Sequence, residues 1–210
     1  SNNVVIGNHF FQGDGVANGV RTAGLILAAT YSSSTVAGNY IDNCFVEWTN
    51  ELDSTPDFLN GFSFSALSIN DNIFLSGAVA PWFSYIVVKP HGTDHFLNGL
   101  TVTGNKFRSI NGGIDRAERV DNSFANLDLS KTKNVTYEGN TYHSVTYQAV
   151  NPLRVRHDQV TAAQTWVVDT AGELPFGGWA RGVDGIVPLE QIKTASNAGN
   201  YSLPYVETDQ

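Results

Sequence analysis

The sequence predicts an all-β chain wound as a parallel β-solenoid, and three observations predict it. A short motif, apolar–x–(Gly/Asp)–Asn–x–(aromatic or apolar), recurs along the first two-thirds of the chain. Its asparagines fall at 8, 39, 72, 105, 122 and 140, at intervals of 31, 33, 33, 17 and 18 residues. The composition, with 20 glycines in 210 residues and only 15% charged residues, favours strands and turns over helices. A strand–turn–strand unit repeated in this way stacks on its neighbours and buries one continuous core.

The copies follow one another in order. They are Val5-Ile6-Gly7-Asn8-His9-Phe10, Val36-Ala37-Gly38-Asn39-Tyr40-Ile41 and Ile69-Asn70-Asp71-Asn72-Ile73-Phe74. Then come Val102-Thr103-Gly104-Asn105-Lys106-Phe107, a weaker Arg119-Val120-Asp121-Asn122-Ser123-Phe124, and Tyr137-Glu138-Gly139-Asn140-Thr141-Tyr142. The intervals of 17 and 18 match one compact coil, and the longer ones fit either one coil with a loop or two short coils.

Each motif position has a physical role. Apolar residues before the turn point inward, giving a stack such as Ile69, Val102, Val120 and Tyr137. Gly38, Gly104 and Gly139 suit a positive-φ bend where a Cβ is costly. Asp71 and Asp121 stand in the same place, and aspartate tolerates that conformation. The asparagine satisfies its amide on backbone or on the asparagine one coil away, forming a ladder. The ring two places later (Phe10, Phe74, Phe107, Phe124, Tyr142) is expected to stack in a row.

The recurrent V-x-G-N-x-F unit resembles the right-handed parallel β-helix proteins of the pectate-lyase-like superfamily. That group includes polysaccharide lyases, polygalacturonase-like hydrolases, alginate epimerases and bacteriophage tailspikes. The resemblance covers roughly residues 3–150, and it carries no catalytic signature of a particular member. It implies residues 1–150 as β-helix coils, followed by 151–210 as a C-terminal cap or the start of a small β accessory region. In tailspike-like proteins a domain after the helix often holds a trimer together, so the resemblance also implies a homotrimer.

The tail changes texture after Tyr147. Asn151-Pro152 breaks the repeat, and Gln164-Thr165-Trp166-Val167-Val168-Asp169 reads as a strand. Trp166, Phe176 and Trp179 are placed to cover the open end of the solenoid, which would otherwise expose strand edges and core. The chain opens on Ser1-Asn2-Asn3 directly into a repeat, contains no methionine and ends on Val206-Glu207-Thr208-Asp209-Gln210. A piece of a longer protein is therefore expected.

Composition also narrows the partners. The net charge of −8 and the lack of a basic cluster exclude a nucleic-acid backbone as partner. No run is long enough to span a membrane. Cys44, the single cysteine, lies among Ile41, Phe45 and Val46 and reads as a buried, inert thiol.

Chemistry must be grafted onto such a scaffold. Three polar clusters lie between motif copies. Asp42, Glu47 and Trp48, with Glu51, Asp53 and Asp57 following, combine carboxylates with a ring on which a sugar packs; a solvated acidic loop with one packed tryptophan is the alternative. In His91-Gly92-Thr93-Asp94-His95, Asp94 and His95 offer an acid–base pair, against a hydrogen-bonded surface turn. In Asp115-Arg116-Ala117-Glu118-Arg119, Asp115 and Arg116 offer a carboxylate and a bidentate cation, against paired surface charges. These patterns assign catalytic roles to Asp94, His95, Asp115 and Arg116, substrate binding to Asp42, Glu47 and Trp48, and no metal ligand. No cofactor is expected, calcium being the one ion left open.

The leading expectation is glycan recognition by an extracellular or virion-associated protein, with a polysaccharide or cell-surface glycan as partner. A polysaccharide lyase, glycoside hydrolase or epimerase is the second reading. It requires two of Asp42, Glu47, Asp94, His95, Asp115 and Arg116 to share a groove. A purely structural shaft or adhesin segment is the third.

Overall fold

Three strands per turn, repeated coil upon coil, make up the body of the molecule in the computed structural model. It describes residues 2–13, 22–202 and 204–208. Of the residues read above, Ser1, Asp209 and Gln210 lie outside them.

The first coil comprises β1 (Asn2–Ile6), β2 (His9–Phe11) and β3 (Ala23–Leu27). The second comprises β4 (Ser33–Ala37), β5 (Tyr40–Asp42) and β6 (Phe45–Thr49). The third has β7 (Phe64–Asn70), β8 (Ile73–Gly77) and β9 (Ile86–Lys89). The fourth has β10 (Leu97–Thr103), β11 (Lys106–Ile110), β12 (Ile114–Arg116) and β13 (Glu118–Val120). β14 (Lys133–Glu138), β15 (Thr141–His143) and β16 (Val145–Tyr147) close the series.

Every named strand pairs in parallel with its equivalent one coil away. Sheet A runs β1-β4-β7-β10-β14, sheet B runs β2-β5-β8-β11-β15, and sheet C runs β3-β6-β9-β13, with β12 and β16 as a separate pair. The fold is thus all-β, a parallel β-helix, and among the described residues the one short helical turn is Pro175–Gly177. Among the described residues no helix is long and apolar enough to cross a membrane.

Register places each motif residue. Val5, Val36, Ile69, Val102 and Tyr137 stack in sheet A. Phe10, Ile41, Phe74, Phe107 and Tyr142 stack in sheet B. The Phe74 and Phe107 rings lie 4.9 Å apart at 23°, and Phe107 and Tyr142 5.4 Å apart at 21°. Burying each such side chain contributes roughly 1.5–3 kcal/mol.

The asparagine ladder joins Asn8, Asn39, Asn72, Asn105 and Asn140. The backbone N–H and side-chain amide of each donate to the side-chain carbonyl of the next, at 2.9–3.2 Å. The other amide hydrogen of Asn39, Asn72, Asn105 and Asn140 returns to Val5, Val36, Ile69 and Val102 backbone oxygens, at 2.8–2.9 Å.

The weaker copy is corrected by this ladder. Asn105 bonds directly to Asn140, 35 residues on, so the whole interval is one coil and Asn122 is not a rung. Val120 aligns with Val88 in sheet C rather than with Ile69. Phe124 is 63% exposed and stacks on His91 at 4.3 Å, outside the aromatic row. Asp71 has φ 55°, as a glycine replacement should. Asp121 is absent from the positive-φ residues and instead caps a turn, accepting from Ser123 N–H at 3.1 Å and Ser123 Oγ at 2.5 Å. A motif match of this length arises when a strand end and an Asx turn happen to adjoin.

In the tail, 164–169 forms no strand, and Val167 is 80% exposed. Phe176 covers the end of the core, its ring edge-on to Tyr137 at 6.5 Å. Trp166 and Trp179 remain partly exposed, Trp166 beside His157. Cys44 is buried, and burial pushes its thiol up to about 11, which keeps it protonated and unreactive.

Candidate functional site

Side chains alternate across a strand, and this splits the first predicted cluster. Glu47 and Trp48 are neighbours on β6, so they face opposite ways. Trp48 enters the core at 1% exposure, edge-on to Phe64 at 5.2 Å, and offers no face to a sugar. Glu47 faces out, 3.9 Å from Lys89 Nζ; burial raises its carboxyl pKa against the opposing pull of Lys89. Asp42 ends β5 in register with Phe11 and Leu75, on the outer side of sheet B.

The second cluster divides in the same way. Asp94, at φ 64°, projects into solvent and pairs with Lys131 Nζ at 3.3 Å. His95 is buried and holds two loops together. Its Nε2 lies 2.7 Å from the Pro56 carbonyl and its Nδ1 3.1 Å from Ser63 Oγ. Ser63 Oγ also accepts the Phe96 N–H at 2.9 Å. That network assigns the proton to Nε2, with Ser63 donating to Nδ1. Both ring nitrogens are committed to structure.

Asp115 is exposed, with its backbone N–H on the Pro81 carbonyl at 2.8 Å. Arg116 turns to the tail. Its guanidinium donates to Glu118 Oε1 at 2.8 Å, to Leu174 O at 3.2 Å and to Gly172 O, and lies 5.0 Å from the centre of the Tyr147 ring. Asp94, His95 and Arg116 thus each find separate side-chain partners, and the Asp115 carboxylate joins none of them. No set of three or more His, Cys, Asp or Glu capable of holding a metal occurs among the described residues.

Two clefts remain. One, of about 270 Å³, opens beside β13 at the end of the solenoid, lined by Arg116, Glu118, Arg119, Asn122, Asn126 and Phe176 among others. Glu118 is wholly buried; its Oε1 accepts from Arg116 and from the Phe176 N–H at 3.1 Å, while Oε2 has no partner. Burial pushes this carboxyl up to about 7, against the opposing charge and hydrogen bonds of Arg116. In the sequence Glu118 is one of four charges between 115 and 119, and only the fold shows that it points inward.

The other cleft, of about 370 Å³, lies on the outer face of sheet A. Tyr31 and Phe62 are among its lining residues, at 65% and 72% exposure. Ser33, Ser65, Ala66, Asn98, Gly99 and Asn134 complete it. Its floor is built on backbone: Ala66, Gly99 and Asn134 occupy equivalent points of β7, β10 and β14 and have φ of 62°, 97° and 55°. A Cβ on Gly99 would sit 3.3 Å from the Ala66 nitrogen. Asn134 Nδ2 donates to Asn98 Oδ1 at 2.8 Å.

Asp42, Glu47, Trp48, Asp94, His95 and Asp115 line neither cleft, and Arg116 lines the first. A signal for the sheet A groove was present: Ala66, Gly99 and Asn134 each stand six residues before a ladder asparagine. The chain matches no protein-family model, no curated protein and no solved structure.

Proposed function

We propose that this chain is a glycan-recognising β-helix, working where extracellular or cell-surface polysaccharides are met. The observation that carries this reading is the outer face of sheet A. Thr35, Ser68, Thr101 and Thr136 stand in one column across successive coils, and Asn70 and Thr103 stand beside them, bonded at 2.9 Å. Hydroxyls and amides set at the strand spacing of roughly 4.8 Å form an extended, rigid surface, with Glu138 ending the column of Asn70 and Thr103. Exposed rings at its edge add apolar faces of the kind that pack on pyranose C–H groups. The motif resemblance to pectate-lyase-like β-helices supports the same class of ligand.

Binding of the whole chain to an array of polysaccharides and oligosaccharides tests the reading. Selective retention of one or a few glycans is expected. Absence of binding across a broad array removes it.

A further inference from the structure

We propose, resting on the glycan reading above, that the groove between Tyr31 and Phe62 is the binding site and that it takes uncharged pyranose sugars. Four observations converge on it.

The lining contains no charged residue. A uronate or sulfated sugar would find no cation there, and a chain of net charge −8 repels anionic polymers at longer range. A neutral sugar meets neither penalty.

Tyr31 and Phe62 leave most of their surface in water. Large exposed rings beside a concavity mark a place where an apolar ligand face is received. A pyranose has such a face, and its rim of hydroxyls requires hydrogen-bonding partners around the rings.

The amides supply them. Asn134 Nδ2 is held on Asn98 Oδ1, which orders both side chains. Among the described residues Asn98 Nδ2 and Asn134 Oδ1 meet no other hydrogen-bond partner. One donor and one acceptor are therefore presented side by side, the pattern that two neighbouring sugar hydroxyls match.

The floor holds Ala66 and Asn134 in the left-handed region, at φ 62° and 55°. Alanine in the left-handed region costs energy, and such backbone is found at functional sites.

Affinity electrophoresis of the whole chain in gels containing dextran, laminarin, chitin oligomers, alginate or polygalacturonate tests the proposal. Retardation by a neutral glycan is expected, insensitive to salt raised to about 0.5 M because no ion pair is involved. Tyr31→Ala and Phe62→Ala should each weaken it by about tenfold, as for central aromatic contacts elsewhere. Their thermal midpoints should match the parent, since both rings are exposed. Undiminished retardation of both variants overturns the groove and leaves glycan recognition elsewhere on the chain. Preference for alginate or polygalacturonate overturns the neutral-sugar assignment. Retardation by none of the five polymers overturns the groove, and the broad array then decides the fate of the glycan reading itself.

Discussion

The backbone N–H and the side-chain amide of Asn72 both donate to one oxygen, Asn105 Oδ1, at 3.0 and 2.9 Å across a full coil of 33 residues. The remaining amide hydrogen of Asn72 returns to Val36 O at 2.9 Å, and the residue is wholly buried. Asn72→Ala leaves buried groups on both sides without partners, at roughly 1–3 kcal/mol each. We expect a loss of about 2–4 kcal/mol by urea denaturation. Asn122→Ala, at the copy that forms no rung, should stay within about 0.5 kcal/mol of the parent.

Glu118 makes stability depend on pH. Its folded pKa, near 7, lies above the ordinary 4.5, so the folded state holds the proton more tightly than the unfolded chain. The stabilisation is full below about pH 4.5 and is lost as pH rises through about 7. Glu118→Gln keeps an acceptor for Arg116 and Phe176 but cannot ionise. Thermal midpoints at pH 5 and pH 8 should differ less in this variant than in the parent.

Arg116→Ala should free the tail. The guanidinium joins Glu118 to the carbonyls of Leu174 and Gly172, and its loss leaves a buried carboxyl without a cation. Breaking one side of a buried pair costs about 3–5 kcal/mol. Limited proteolysis should cut first near 170–180 in this variant, and the loss should be greater at pH 8 than at pH 5.

Gly99→Ala and Ala66→Gly should act in opposite directions. The first adds a Cβ at φ 97°, 3.3 Å from the Ala66 nitrogen, and should cost about 1–2 kcal/mol. The second relieves a left-handed alanine at φ 62° and should be neutral or stabilising by up to about 1 kcal/mol. Paired urea titrations distinguish them.

The fold was legible because its determinants are local and repeated. A glycine or aspartate before asparagine, with apolar residues either side, names both the turn and the inward faces. Asn122 and Phe124 misled because six residues report a local turn and not which coil that turn stacks upon. The site was far less legible. Glu47 and Trp48 are adjacent in sequence, yet the strand pleat sends them to opposite sides. His95 looked chemical because its type is often chemical, but Ser63 and Pro56, distant in sequence, commit both nitrogens. The sheet A groove gathers residues from four coils around three left-handed backbones, and no single stretch of sequence contains it.

The side-chain carbonyl of every rung from Asn39 to Asn140 accepts from the coil before it. The row of amides is therefore a vector, and the two ends of the stack are not chemically alike. At Asn8 the vector terminates in an amide oxygen that accepts from no described residue. A coil laid against that end continues the row only by bringing N–H groups, which means running in the same sense as the rest. Two such ends turned face to face would oppose oxygen to oxygen. The ladder thus gives the β-helix a polarity that permits extension in one orientation and rejects its mirror pairing.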